Sequence, residues 1–245
     1  MNKILISAPI GGLKQYSINL WFEYIARQKL DFDSYDICIC VNGKGYQELA
    51  NKLGEVEIYY PGGHKKKVNT LILPDSEDLS VIQKITYARE MIRRYAVENN
   101  YTHIFFLDTD TIPSNKDAIA RLLTWNVPCV SGLYFYKNSK VPVVIDQETN
   151  TNITIEKCKD AVMQNKLIPV WGFGFGCLLL ERKVFEKLAF DYELFGEERS
   201  DDFGYCHVLE QAGVTRYLDP YVLCKHFADS EAPKEHNTIL PFYIK

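Results

Sequence analysis

His103-Ile104-Phe105-Phe106-Leu107-Asp108-Thr109-Asp110 is the stretch on which the fold turns. The apolar run from Thr102 to Leu107 reads as a strand buried on both faces of a sheet. It ends directly in Asp-x-Asp. Residues i and i+2 of a strand share a face, so the Asp108 and Asp110 carboxylates are expected to converge at the C-terminal edge. Open α/β sheets bind ligands at that edge. Two hard oxygen donors there suit Mg2+ or Mn2+ bridging phosphates. The bland alternative has Asp110 opening a turn before Pro113 and Asp108 solvated. Attachment to an apolar strand makes the motif more specific than a bare Asp-x-Asp.

Upstream, strands and helices alternate. Lys3 to Pro9 and Tyr35 to Val41 are strand-like, while Ser17 to Lys29 and Tyr46 to Leu53 are helical in pattern. Short strands are expected at Val56 to Tyr60 and Asn69 to Leu73, then a long helix over Val81 to Asn99. Ile82, Ile85, Ile92 and Ala96 form its apolar stripe. This alternation is the mark of a doubly wound α/β sheet. Arg89 lies on the stripe, where a guanidinium could reach a phosphate or a base, or simply snorkel at an edge. His64-Lys65-Lys66-Lys67 reads as a solvated loop, with contact to an anionic acceptor as the alternative.

Downstream the pattern is less regular. Val127 to Tyr136 and Val141 to Ile145 look like strands, 146–154 a polar loop, and Ile155 to Lys166 a helix. Trp171-Gly172-Phe173-Gly174-Phe175-Gly176 lacks the spacing of a nucleotide loop. Its glycines permit close backbone approach, and its aromatics could stack on a sugar ring or pack in the core. Asp202 to Ala212 is a helix stopped by Gly213. Tyr205, Val208, Leu209 and Ala212 mark its apolar face, and Asp202 lies near that face at the helix N-terminus. The helix dipole there favours an ionised carboxylate. Simple capping by Ser200, Asp201 or Asp202 is the plainer reading. His226, after a strand over Tyr221 to Cys224, could be a metal ligand, which tilts preference toward Mn2+, or an ordinary hydrogen-bonded residue.

Composition narrows the class. The 245 residues suit one large domain, and the net charge of -4 gives no footprint for nucleic acid. The seven cysteines are odd in number and lack zinc-like C-x-x-C pairing, which suits buried thiols in a reducing compartment. No apolar run is long enough to span a membrane, and the short apolar run after Lys3 reads as a strand and not a signal peptide. The expectation is a cytoplasmic protein.

In this order the pieces resemble the GT-A-fold glycosyltransferases, particularly the large inverting family that includes many bacterial sugar transferases. The likeness runs from about Lys3 to about His226. It rests on the strands Lys3 to Pro9 and Asp36 to Asn42, on Ala88-Arg89, on Asp108-Thr109-Asp110, on Gly174 to Phe185, on Asp201-Asp202 and on Leu218 to His226. It implies a Rossmann-like, mixed but mostly parallel sheet flanked by helices, in one domain. A donor-binding half would cover about 1–112, an acceptor-side half about 113–226, and a tail 227–245. Ala8, Pro9, Asn42, Arg89, Asp108, Thr109 and Asp110 would line the site of a nucleotide-sugar donor, by default a UDP-sugar. Asp108, Asp110 and His226 would hold Mn2+ or Mg2+. Asp202, with Asp201 beside it, would be the base of an inverting transfer to a hydroxyl of a carbohydrate, lipid-linked or protein acceptor, with Trp171, Gly172, Phe173 and Gly174 on the acceptor side. Asp201 stands where Glu is usual, and Gly204 where another acid is frequent. The competing readings are a sugar-phosphate nucleotidyltransferase, whose glycine-rich loop Gly11-Gly12-Leu13-Lys14 imitates poorly, and a non-catalytic nucleotide-sugar-binding module.

Overall fold

The structure is a computed structural model that describes residues 2–11, 17–31, 34–60, 64–195 and 200–228, and the backbone of 242–243. Strand β1 (Ile4–Gly11) lies between β2 (Tyr35–Asn42) and β5 (His103–Leu107), parallel to both. β4 (Lys65–Ile72) runs parallel to β2, with β3 (Glu57–Tyr59) antiparallel beyond it. The C-terminal ends of β1, β2 and β5 therefore share one edge.

On the other side of β5 the sheet changes character. β10 (Cys177–Glu181) runs antiparallel to β5 and to β7 (Cys129–Leu133). β11 (Arg216–His226) is parallel to β7, and β9 (Ile168–Phe173) and β8 (Val144–Asp146) complete that flank antiparallel. β6 (Thr111–Pro113) leaves the main order and pairs with β11. The whole is a mixed sheet, ordered β12-β3-β4-β2-β1-β5-β10-β7-β11-β9-β8, with β12 the backbone of Phe242–Tyr243.

Period-two alternation sorts the side chains into two layers. Ile4, Ile6, Phe105 and Leu107 point into one core, beneath α1 (Ile18–Ala26) and α2 (Tyr46–Gly54). Leu5, Ile104 and Phe106 point into the other, beneath α3 (Val81–Glu98) and against Tyr205 and Leu209 of a later helix. Burial on both faces is why β5 has so apolar a sequence. α4 (Ala118–Thr124), α5 (Ile155–Met163) and α6 (Arg182–Phe185) complete the helical cover before that helix, α7 (Asp201–Gln211). No helix among the described residues is long and apolar enough to cross a membrane.

Four expectations change. Lys65, Lys66 and Lys67 belong to β4 and not to a loop, because Glu57 of β3 faces Lys67 in register and binds the Lys65 ammonium at 2.9 Å. The Trp171 to Gly176 segment is the end of β9 and the turn into β10. Its glycines make room for packing: a Cβ on Gly174 would stand 1.8 Å from the Tyr134 hydroxyl. Ile82 and Ile85 are only partly covered, and the residues that α3 buries beside Ala88, Ile92 and Ala96 are Thr86, Arg89 and Glu90. Finally, β6, β9, β10 and the first half of β11 are strands the sequence reading did not place. The stretches Gly12 to Lys14 and Gly62-Gly63, and most of the tail after Phe227, lie outside the described residues.

Gly204 has a steric reason to be glycine. A Cβ there would fall 2.3 Å from the Phe195 ring, which is fully buried. Gly204→Ala should destabilise by about 1–3 kcal/mol through overpacking. Thermal melts should show a drop of several degrees. An unchanged melting temperature would mean that Phe195 yields freely.

Candidate functional site

A cleft of about 380 Å³ opens at the C-terminal edge of β1, β2 and β5. Pro9, Ile10 and Gly11 from β1 and Asn42 from β2 form one wall. Val81, Lys84, Ile85 and Arg89 present the first half of α3 to it, a helix started by a capping box between Ser80 and Gln83. Asp108, Thr109 and Asp110 form the floor, and Asp201 and Asp202 enter from the start of α7. Distant segments thus meet in one place: Arg89 and Asp201 are 112 positions apart in sequence.

Arg89 organises the carboxylates. Its side chain is only 3% exposed. Its Nε donates to Asp201 at 2.9 Å and its Nη2 to Asp108 at 3.2 Å, while Asp202 lies 3.7 Å from Nη2. The guanidinium also rests over the rings of Phe106 and Phe175, at 5.3 and 5.4 Å. Burial works against its charge, but Asp108, Asp201 and Asp202 more than compensate, and its pKa is raised. Neither sequence reading, a phosphate hook or a snorkelling edge, anticipated a buried hub. The Arg89 Nη1 and the Asp202 Oδ1 are buried polar atoms without a hydrogen-bond partner among the described residues.

The Asp-x-Asp motif is not an extension of the strand. β5 stops at Leu107, and the Thr111 N–H closes a turn by donating to the Asp108 carbonyl at 2.9 Å. The two carboxylates diverge: Asp108 goes to Arg89, and Asp110 receives the Lys137 ammonium at 2.7 Å. Strand alternation therefore does not bring them together. The departure of β6 toward β11 forces the turn. It also carries Asp110 to His226, whose Nε2 lies 3.8 Å from Asp110 Oδ1. The His226 Nδ1 is 2.9 Å from the Phe135 carbonyl and donates to it, which turns Nε2 toward Asp110.

Ser200 settles the capping question at α7. Its hydroxyl accepts from the Phe203 N–H at 3.4 Å, so neither aspartate is needed as the cap. Asp202 departs from expectation in its charge. Desolvation and the neighbouring Asp201 raise its pKa well above the carboxylate range, and Arg89 only partly offsets them. The helix dipole, a surface effect of about 0.3–1 kcal/mol, is outweighed.

The remaining expected site residues divide. Pro9, Asn42 and Thr109 line the cleft. Ala8 does not; it is fully buried in the core one residue short of it. Phe173 is likewise fully buried, packed on Phe175, and has no face to offer a sugar. Gly172 and Gly174 back onto Phe203 and Tyr134. Trp171 is half-buried and stacks on Phe203, the residue after Asp202. Sequence reasoning missed Lys44, Lys84 and the apolar wall of Ile10, Val81 and Ile85 in the cleft, and Lys137, which reaches Asp110 from beside it. The two wall residues on α3 had a legible signal, being apolar positions in the first turns of a helix that precedes the motif strand. Lys137 had none.

No family model matches the chain, and no curated protein matches it. Solved structures do. The crystal structure of A197 from STIV aligns over 99% of this chain and 98% of its own, with a TM-score of 0.53 and 15% identity. The mannosyltransferase PcManGT from Pyrobaculum calidifontis, solved in complex with GDP-Man and Mn2+, aligns over 95% of this chain with a TM-score of 0.56 and 14% identity. The chain spans 57% of that protein's length. What these structures share with the chain is the fold, a mixed α/β sheet flanked by helices of the GT-A-like kind.

Proposed function

We propose that the protein is a metal-dependent glycosyltransferase that moves a sugar from a nucleoside diphosphate to a hydroxyl acceptor with inversion. The observation that carries this is the convergence of Asp108, Asp110, Arg89, Asp201 and Asp202 on one cleft at the carboxyl edge of the parallel strands. A donor-binding half of about 1–112 and an acceptor-side half of about 113–226 meet there. UDP-sugars are the default donors, and the mannosyltransferase of like fold makes GDP-mannose the competitor to test against them. The acceptor is a carbohydrate, lipid-linked or protein hydroxyl. Seven free, buried cysteines are in keeping with a cytoplasmic setting.

The residues fit a divalent ion at Asp110 and His226. Metal–oxygen and metal–nitrogen bonds are about 2.0–2.2 Å, so atoms 3.8 Å apart can touch one ion. His226 has the tautomer a ligand needs, fixed by its bond to the Phe135 carbonyl. No group of three or more His, Cys, Asp or Glu side chains that could hold a metal ion is found among the described residues. An ion here would be held by one or two protein groups and completed by phosphate oxygens. When bound, the ion would neutralise charge on the departing diphosphate. The chain's own work is to orient Asp108 toward the donor's ribose or sugar through Arg89, and to hold Asp202 against the acceptor hydroxyl as the base.

Thermal-shift measurements test the reading. With Mn2+, a UDP- or GDP-sugar at 100 times its Kd should stabilise by about 2.7 kcal/mol, which corresponds to roughly 5–10 °C for a chain of this size. Asp110→Asn should lose the metal-dependent part of that shift. No shift with any nucleotide sugar, in the presence of Mn2+ or Mg2+, would reject the function.

A further inference from the structure

Lys137 is the cation beside Asp110 that no motif announced. It sits at the tip of a turn joining β7 to β8, with Asn138 in the left-handed region at φ 56° and the Ser139 N–H bonded to the Tyr136 carbonyl. The root of this turn is fastened to the site. The Tyr134 hydroxyl accepts from the Gly176 N–H at 3.0 Å, its ring meets His226 edge-on at 5.4 Å, and the Phe135 carbonyl accepts from the His226 Nδ1–H. The Tyr136 N–H and the Val141 carbonyl close the turn at 3.0 Å. The same short segment therefore orients one expected metal ligand and delivers an ammonium to the other.

Its position beside Asp110 says what that ammonium is for. The cleft holds Asp108, Asp110, Asp201 and Asp202. Of the cations that line it, Arg89 is committed to three of these carboxylates, Lys84 is tied to Asp75 at 2.6 Å, and Lys44 stands just past the end of β2. A diphosphate entering such a cleft needs positive charge beyond Arg89. Lys137 is not itself a lining residue of the cleft, but it lies 2.7 Å from Asp110 on the floor, where an ion would bring the phosphates, and its side chain is 30% exposed. An ion on Asp110 takes over the charge that Lys137 now neutralises.

We propose that Lys137 is a donor-binding residue, whose ammonium passes from Asp110 to the phosphate oxygens of the nucleoside diphosphate when the ion binds. This rests on the function proposed above. Calorimetric titration of UDP and of GDP into the whole protein at saturating Mn2+ tests it. Lys137→Met should weaken diphosphate binding roughly ten- to a hundredfold, the worth of one charge-assisted hydrogen bond. Lys137→Arg, which keeps the charge, should restore most of the affinity. If Lys137→Met binds the diphosphate as tightly as the wild type does, the proposal is wrong and Lys137 serves only to neutralise Asp110. If the wild type binds neither diphosphate, the glycosyltransferase reading itself fails, and this one with it.

Discussion

Arg89→Met should lower the unfolding free energy by about 3–5 kcal/mol, the order found when one member of a buried ion group is removed. Methionine fills most of the arginine's volume and keeps contact with Phe106 and Phe175, so the loss is chiefly electrostatic. Asp108, Asp201 and Asp202 would be left at the mouth of a low-dielectric pocket with no counter-charge between them. Arg89→Lys should recover only part of the stability, because a point charge cannot fork between Asp201 and Asp108. Adding Asp201→Asn to Arg89→Met should give back part of the loss, since the two residues couple directly at 2.9 Å. Urea unfolding at neutral pH measures all of these. A loss below about 1 kcal/mol for Arg89→Met would place the site's charge balance elsewhere.

The half of the fold around β1, β2, α3 and β5 was legible because each of those elements buries a periodic pattern within its own length. Leu5 and Ile6 fall in opposite cores, as do Phe105 and Phe106, and the alternation is visible without any partner. The other half depends on pairing between distant strands. β9 and the turn into β10 carry Pro169, glycines and large aromatics, and the glycines have their reasons in Tyr134 and Phe203, far away in sequence. The site was legible as a set of acids but not as a geometry. Asp108 and Asp110 lie on a turn that only the pairing of β6 with β11 explains. The expected ionisation of Asp202 used the helix end, which is local, and could not include burial beside Asp201, which is not. Phe173 gave no sign of which face it would turn, and the chain turned it inward.

Asp202→Asn should reduce the rate of sugar transfer by about a hundred- to ten-thousand-fold, the worth of a positioned general base. Inversion requires the acceptor hydroxyl to lose its proton as it attacks the face opposite the diphosphate. Asp202 is suited to take it. Its Oδ1 is a buried acceptor with no hydrogen-bond partner among the described residues, and Ser200 caps α7, so the side chain is released from capping. Its raised pKa makes it a stronger base than an ordinary carboxylate. The same shift fixes a pH signature. The base works only when ionised, so the acidic limb of kcat/KM should lie above the usual carboxylate range and vanish in the variant. The sign for stability is opposite. An aspartate whose folded pKa is raised stabilises the fold while protonated and loses that contribution as pH rises through the folded value. Asparagine resembles the protonated form, so Asp202→Asn should leave the melting temperature at neutral pH unchanged or raise it. A catalytic group held at a cost to the fold predicts this pairing of lost rate with kept stability. Full activity in Asp202→Asn, or a product with retained anomeric configuration, would remove Asp202 from the reaction and leave it as the third carboxylate of the Arg89 hub.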